Sequence, residues 1–221
     1  MSGESNSVQS TKSKERVGFD RRMSREEINA LPIRRFEGRV EVITESSAAR
    51  RAVELLNRER ILGFDTETRP AFRKGERYLP SVLQLAGEKD VYLFQIGRTG
   101  LSEDLCTLLE NPDILKAGVA PGQDIGGLCE IRPFTAGGFM DISDMAKRTG
   151  IKNHGLRGMA AVLLGFRISK QAQVSNWARH KLSEAQISYA AMDAWLSRHI
   201  YLHLLRLMDT LPESKTLCAG T

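Results

Sequence analysis

The chain has 221 residues, of which 41% are hydrophobic and 27% charged, with a formal net charge of +5 at neutral pH. At roughly 100–200 residues per domain this length predicts one compact domain with short tails, and the apolar content excludes wholesale disorder. No run of about 18 apolar residues occurs, so no membrane span is expected. The cysteines Cys106, Cys129 and Cys218 are too scattered for a metal-ligand pair or a disulfide framework and suit reduced thiols. The mild basic excess suits a polyanionic partner without identifying one.

Residues 1–23 are polar, Ser-rich and without apolar periodicity, which predicts a flexible tail. The stretch has no apolar leader segment, and Glu4 and Glu15 argue against a transit peptide, so a cytoplasmic location is expected. Its basic residues Lys12, Lys14, Arg16, Arg21 and Arg22, with the nearby Arg25, read most simply as a solvated leader, and weak, sequence-blind nucleic-acid contact is the alternative. Order is expected from Ser24, whose spacing to Glu27 forms a capping box opening a short helix that stops before Pro32. Residues 39–44 alternate like a strand, and 48–60 form an amphipathic helix with Ala49, Ala52, Val53, Leu55 and Leu56 on its apolar face. Strands follow at 61–68, 82–86 and 91–96, the last two spaced as a hairpin. Next come a helix over 101–110, a buried strand over 114–119 and a helix over 123–130. A short strand at 139–141 leads into a helical stretch, then helices at 155–164 and 183–208. Strands alternating with helices after an early hairpin predict an α/β domain over residues 24–210, a mixed sheet of about five strands flanked by helices, with a short tail over 211–221.

The placement of acids carries the functional information. Asp65 and Glu67 interrupt an apolar strand, and a side-chain period of two projects both carboxylates from one face, about 7 Å apart. The solvent face of an edge strand would show the same alternation. Asp124 falls in the first turn of a helix that follows a buried strand through Pro121 and Gly122, where the helix dipole also favours an acid. Ser183 and Gln186 have capping-box spacing, which places Tyr189 and Asp193 one turn apart on one helix face. The small residues Ala190, Ala191 and Ala194 let that helix approach a sheet closely.

Phe64-Asp65-Thr66-Glu67, then Asp124 with Gly118 upstream, then Tyr189 to Asp193, resembles the three motifs of the DEDDy group of 3′→5′ exonucleases. The resemblance spans about residues 40–208. Residues 82–85, 91–94 and 175–178 look like ribonuclease D and Werner-syndrome-type exonuclease domains, without the C-terminal helical module of full-length ribonuclease D. It implies an RNase H-like fold and hydrolysis of a DNA or RNA strand from a free 3′ end, releasing nucleoside monophosphates. It also implies two Mg²⁺ or Mn²⁺ ions held by Asp65, Glu67, Asp124 and Asp193, with Tyr189 orienting the attacking water. Four clustered acids would repel one another without such cations.

Substrate contacts are expected from Thr66 within the first motif and from Arg73 and Lys74 in the basic loop that follows it. Trp177 is a candidate base-stacking platform, although a packing role is the ordinary expectation for Trp. Asp141 reads as structural, and His199 and His203 as surface residues despite their i, i+4 spacing. A non-catalytic nucleic-acid-binding or scaffold module and a phosphoesterase acting on a small nucleotide are also compatible with these residues.

Overall fold

Six strands assemble into one mixed sheet in the computed structural model, which describes residues 16–210. The chain enters through helix α1 (Arg25–Ala30). There the Ser24 hydroxyl accepts the Glu27 N–H and the Glu27 carboxylate accepts the Ser24 N–H, the reciprocal cap expected from the spacing. Strand β1 (Arg39–Ile43) and helix α2 (Ser46–Leu56) follow. Strands β2 (Ile61–Thr68), β3 (Pro80–Ala86) and β4 (Asp90–Gln95) form an antiparallel meander, with the Gly87 N–H donating to the Asp90 carbonyl across the hairpin turn. The short α3 (Ile96–Thr99), α4 (Glu103–Glu110), β5 (Leu115–Gly118), α5 (Gly122–Ile131) and β6 (Phe139–Asp141) come next. Helices α6 (Ile142–Arg148), α7 (Leu156–Leu164) and α8 (Glu184–Asp209) complete the chain.

The sheet order is β1-β4-β3-β2-β5-β6. Pairs β1/β4, β2/β5 and β5/β6 are parallel, whereas β2/β3 and β3/β4 are antiparallel. Six strands rather than about five result because β6, only three residues long, still pairs at the edge.

Period-two alternation sorts the strand residues between two faces. Ile43, Phe64, Leu83, Leu85 and Phe94 point to one side, where α2 and α4 close over them with Ala52, Val53, Leu56, Leu105 and Leu108. Val82, Ala86, Val91 and Leu93 point to the other, against Ala190, Ala191 and Ala194 of α8. Beyond β5, helices α6, α7 and α8 pack together through Met145, Met159, Leu196 and Ile200. Each of these large side chains, fully buried, contributes roughly 1.5–3 kcal/mol relative to exposure, so α8 is held down along its length by packing.

Lys116 lies inside β5 at 0% exposure. Its ammonium donates to the carbonyls of Leu108 (3.3 Å) and Asn111 (2.7 Å), satisfying the C-terminal end of α4, and lies over the Phe139 ring. Burial pushes this lysine down to about 8.

Residues 16–23 depart from the expected tail. The Gly18 carbonyl accepts from Lys152 N–H (2.7 Å), and Met23 and Asn153 exchange hydrogen bonds of 2.9 and 3.1 Å between backbone and side-chain amide. Phe19 packs against the α6–α8 cluster. Backbone groups and one aromatic ring do the anchoring, so the polar composition gives no sign of it. The tails expected at residues 1–15 and 211–221 lie outside the described residues, as does Cys218. Cys106 and Cys129 are free thiols. Among the described residues no helix is long and apolar enough to cross a membrane.

Candidate active site

Gly63, Asp65 and Glu67 share the face of β2 that α8 covers. A Cβ at position 63 would lie 1.8 Å from the Ala194 carbonyl oxygen, so only glycine lets α8 rest directly on the strand. That contact carries Asp193, the residue before Ala194, to the strand acids. Asp65, Glu67 and Asp193 each offer a carboxylate oxygen, and these oxygens all lie within 4.8 Å of one another. Register along α8 is pinned at both ends of the contact. The Ser183–Gln186 capping box sets its start, and Gln186 Nε2 also donates to Ser175 Oγ and the Asn176 carbonyl. Further along, Arg198 Nε donates to the Ile61 carbonyl at the head of β2 (3.0 Å).

Asp124 stands to one side of this trio. Thr66 points to the opposite side of β2 from its neighbours, and its hydroxyl donates to Asp124 Oδ1 at 2.5 Å, while its N–H donates to Asp65 Oδ1 at 2.9 Å. The Thr66 side chain thus couples the first turn of α5 to the end of β2. The ladder between β2 and β3 shifts register just after Glu67, releasing the strand into the following loop.

The electrostatics are those of crowded, desolvated carboxylates. Burial, and then the charges of Asp193 and Asp124, push the Asp65 carboxyl well above the usual range. Burial, then Asp65, Asp193 and Asp124, push Glu67 up to about 9. Asp193 is raised by burial against the pull of a Tyr189 hydrogen bond and the Lys170 ammonium. Asp124 is raised by burial, against the Thr66 hydrogen bond. The Tyr189 phenol is pushed up by burial and by the charges of Asp193 and Glu67, so it stays protonated at neutral pH.

Two groups here lack partners. Asp193 Oδ1 is buried without a hydrogen bond, and so are both amide atoms of Gln84 at 0% exposure. Gln84 opposes Asp65 in the β2/β3 ladder, hence on the same face. Hard oxygen donors, mutual repulsion and an unsatisfied buried oxygen fit a divalent cation.

These acids open into a cleft of about 910 Å³. Asp65, Thr66, Glu67, Tyr189 and Asp193 line it together with a basic set: Arg22, Arg25, Lys152, His154, Arg157 and Lys170. Of that set, the sequence offers Arg22 and Arg25 only through the weaker alternative of nucleic-acid contact by a basic leader, and it singles out none of the other four. It pointed instead to Arg73 and Lys74, which sit exposed on the loop after β2 and do not line the cleft. In that loop Arg69 stacks on Tyr78, Arg77 pairs with Glu130, and Phe72 is 82% exposed. Trp177 is 1% exposed, with its ring 6.0 Å from that of Tyr189. Protein covers its faces, so it buttresses the phenol and leaves no surface for a base. Asp141 is structural as expected. Its Oδ1 accepts from Ala120 N–H (3.0 Å) and Ser143 N–H (2.8 Å). His199 is half-buried, 4.0 Å from the Trp195 ring, rather than a surface residue.

The sequence profile of a family described as 3′-5′ exonuclease matches residues 40–209. The chain is 34% identical over 156 residues to the mouse bifunctional 3′-5′ exonuclease/ATP-dependent helicase WRN, covering 68% of this chain and 11% of that protein. It is 30% identical over 172 residues to ribonuclease D of Gluconacetobacter diazotrophicus, covering 76% of this chain and 43% of that one. The chain therefore spans less than half the length of either relative. The EXO domain of Aedes aegypti Nibbler superposes with a TM-score of 0.72 at 23% identity, over 81% of this chain and 93% of that domain. The sheet thus has the RNase H-like architecture of such exonucleases. With the profile covering every strand but the first residue of β1 and all of the acids above, the chain belongs to the 3′-5′ exonuclease family.

Proposed function

We propose that this domain is a DEDDy-type exonuclease that removes nucleoside monophosphates one at a time from the free 3′ end of a DNA or RNA strand. The observation that carries the proposal is the meeting of Asp65, Glu67 and Asp193 within 4.8 Å at the floor of the cleft. These three would hold two divalent cations, Mg²⁺ or Mn²⁺, with Asp124 supporting the second through water. Bound there, the cations would acidify a water and neutralise the charge that develops on the phosphate.

The chain's own groups do the rest. The protonated Tyr189 phenol hydrogen-bonds the attacking water and orients it toward phosphorus. Trp177 behind it keeps the ring in place. Thr66 fixes the Asp124 carboxylate. Water oxygen bonds to phosphorus, the bond from phosphorus to the 3′ oxygen of the preceding nucleotide breaks, and that oxygen takes up a proton. The free thiols Cys106 and Cys129 suit a cytoplasmic setting.

The test is digestion of matched 3′- and 5′-labelled single-stranded DNA, duplex DNA and RNA, each with Mg²⁺, Mn²⁺ or EDTA. A metal-dependent ladder shortening from the 3′ end is expected, lost in Asp65→Ala and Asp193→Asn while both variants remain folded. Full activity of either variant, or no cleavage of any polymer by folded, metal-supplied protein, overturns the proposal.

A further inference from the structure

We propose that residues 16–38 form a built-in wall of the substrate cleft, and that Arg22 and Arg25 on it bind backbone phosphates of a nucleic-acid strand whose 3′ end lies at the acids. This inference rests on the exonuclease reading and adds a phosphate-binding subsite to it.

The segment is seated on the α6–α7 side of the molecule from end to end. Gly18 accepts from Lys152, and Met23 exchanges hydrogen bonds with Asn153. Arg157 donates to Asn29, Arg167 Nε donates to the Leu31 carbonyl (3.1 Å), and Arg34 N–H donates to the Arg167 carbonyl (3.0 Å). Its turn is locked internally as well. The Arg21 guanidinium grips both Glu27 oxygens at 2.7 and 2.8 Å, and Glu27 in turn caps Ser24. Arg22 and Arg25 flank this locked turn, are exposed, and line the same cleft as Asp65, Glu67 and Asp193. Among the described residues neither has an ion-pair partner.

A second observation concerns the same cleft. Arg157 of α7 also lines it, and its donation to Asn29 ties this third guanidinium to the segment that carries Arg22 and Arg25. Lys152 and Lys170 add positive charge to the same cleft, Lys170 close enough to act on Asp193. That layout assigns the scissile phosphate to the acid floor and the phosphates preceding it to the basic wall.

The experiment compares wild type with the double variant Arg22→Gln/Arg25→Gln. The control is Arg51→Gln/Arg58→Gln, a matched charge loss at exposed positions on and just after α2, across the sheet. Binding of fluorescent single-stranded DNA and RNA of matched sequence is measured in EDTA across a salt series, with melting curves to confirm folding. Loss of two single-strand phosphate contacts lowers the slope of log affinity against log salt by about 1.4, so the weakening shrinks about sevenfold between about 50 and about 200 mM salt. The control is expected to keep the wild-type slope. A wild-type slope and affinity in Arg22→Gln/Arg25→Gln overturns the inference, as does equal weakening in the control, which would mark a net-charge effect. Wild-type digestion in Mg²⁺ separates the two levels. Retained shortening from the 3′ end with an unchanged slope removes the wall alone, whereas no shortening removes the exonuclease reading and the wall with it.

Discussion

Replacing Glu67 with Gln is expected to stabilise the metal-free protein at neutral pH and to blunt its response to divalent cations. Burial, then the charges of Asp65, Asp193 and Asp124, raises this carboxyl from 4.5 to about 9. The folded state therefore holds a proton between those values that the unfolded chain has released. Stability from this group is fully present below pH 4.5 and is lost as pH rises toward 9, at about 1.4 kcal/mol per unit. At pH 7.5, three units above the unfolded value, the loss is about 4 kcal/mol. Glutamine has the same shape and no charge to lose, but its NH₂ needs a partner, so a net gain of about 2–4 kcal/mol is expected in EDTA. For a domain of this size that corresponds to roughly 4–16 °C in melting temperature. Saturating Mg²⁺ at about 100 times its dissociation constant would add about 2.7 kcal/mol to wild type and much less to Glu67→Gln. Thermal melts at pH 5, 6, 7 and 8, with EDTA or Mg²⁺, measure all of this. Equal melting of the two proteins at pH 7.5 in EDTA, or a gap that does not widen from pH 5 to 8, would refute the reasoning.

Two further substitutions probe how the site is held. Gly63→Ala places a methyl group 1.8 Å from the Ala194 carbonyl, so α8 must lift from β2. A loss of about 1–3 kcal/mol is expected, together with roughly a hundredfold fall in kcat as Asp193 moves from Asp65; Gly126→Ala, where the new Cβ meets nothing within 4 Å, serves as the control. Wild-type kcat in Gly63→Ala would show that the α8–β2 contact does not set the acid geometry. Asp141→Ala removes the acceptor for the N–H groups of Ala120, a non-glycine residue at φ 48°, and Ser143. Its expected cost is about 1–2 kcal/mol in urea unfolding. Burial acts to raise Asp141, but its hydrogen bonds from Ala120 and Ser143 outweigh that and hold it below the usual carboxylate range. Its contribution is therefore present above the unfolded value and lost as pH falls through the folded one, so the gap between Asp141→Ala and wild type should close in acid. A gap that stays constant as pH falls below the unfolded value of 3.8 and through the acid limb would count against this assignment.

Local rules made the scaffold and the acids legible. Alternation over residues 61–68 already put Asp65 and Glu67 on one face, and the Ser24 and Ser183 capping boxes opened their helices where expected. Each of these signals depends on a few neighbouring residues, because strand period and helix caps are local physics. What alternation leaves open is the partner of each face. The edge-strand alternative for Asp65 and Glu67 is excluded only by β2 lying between β3 and β5, with α8 resting on Gly63. Gln84 shows the same limit from the other side. A polar residue in an alternating strand reads as solvent-facing, yet here it is buried opposite Asp65 because α8 covers that face.

The basic wall was illegible for a related reason. Chain proximity favours the loop at residues 69–77, which follows the first motif directly, yet Arg73 and Lys74 do not line the cleft that holds the acids. That loop leaves β2 past a register shift and engages α5 through Arg77 and Glu130. The cations that do face the acids come from residues 22–25, 152–157 and 170, and the contact joining the first two groups, Met23 to Asn153, spans 130 residues of sequence. No periodicity connects segments so far apart. They meet because the Gly18 carbonyl and the backbone of Met23 pair with the Lys152 N–H and the Asn153 side-chain amide beside α7, and a docking backbone group leaves no mark in its own residue's identity. A site whose acids come from one strand and one helix can be read from spacing. A wall assembled by backbone docking becomes visible only when the docked segment and its receiving loop are seen together, and in this protein the Arg22–Arg25 turn is where that difference can be measured.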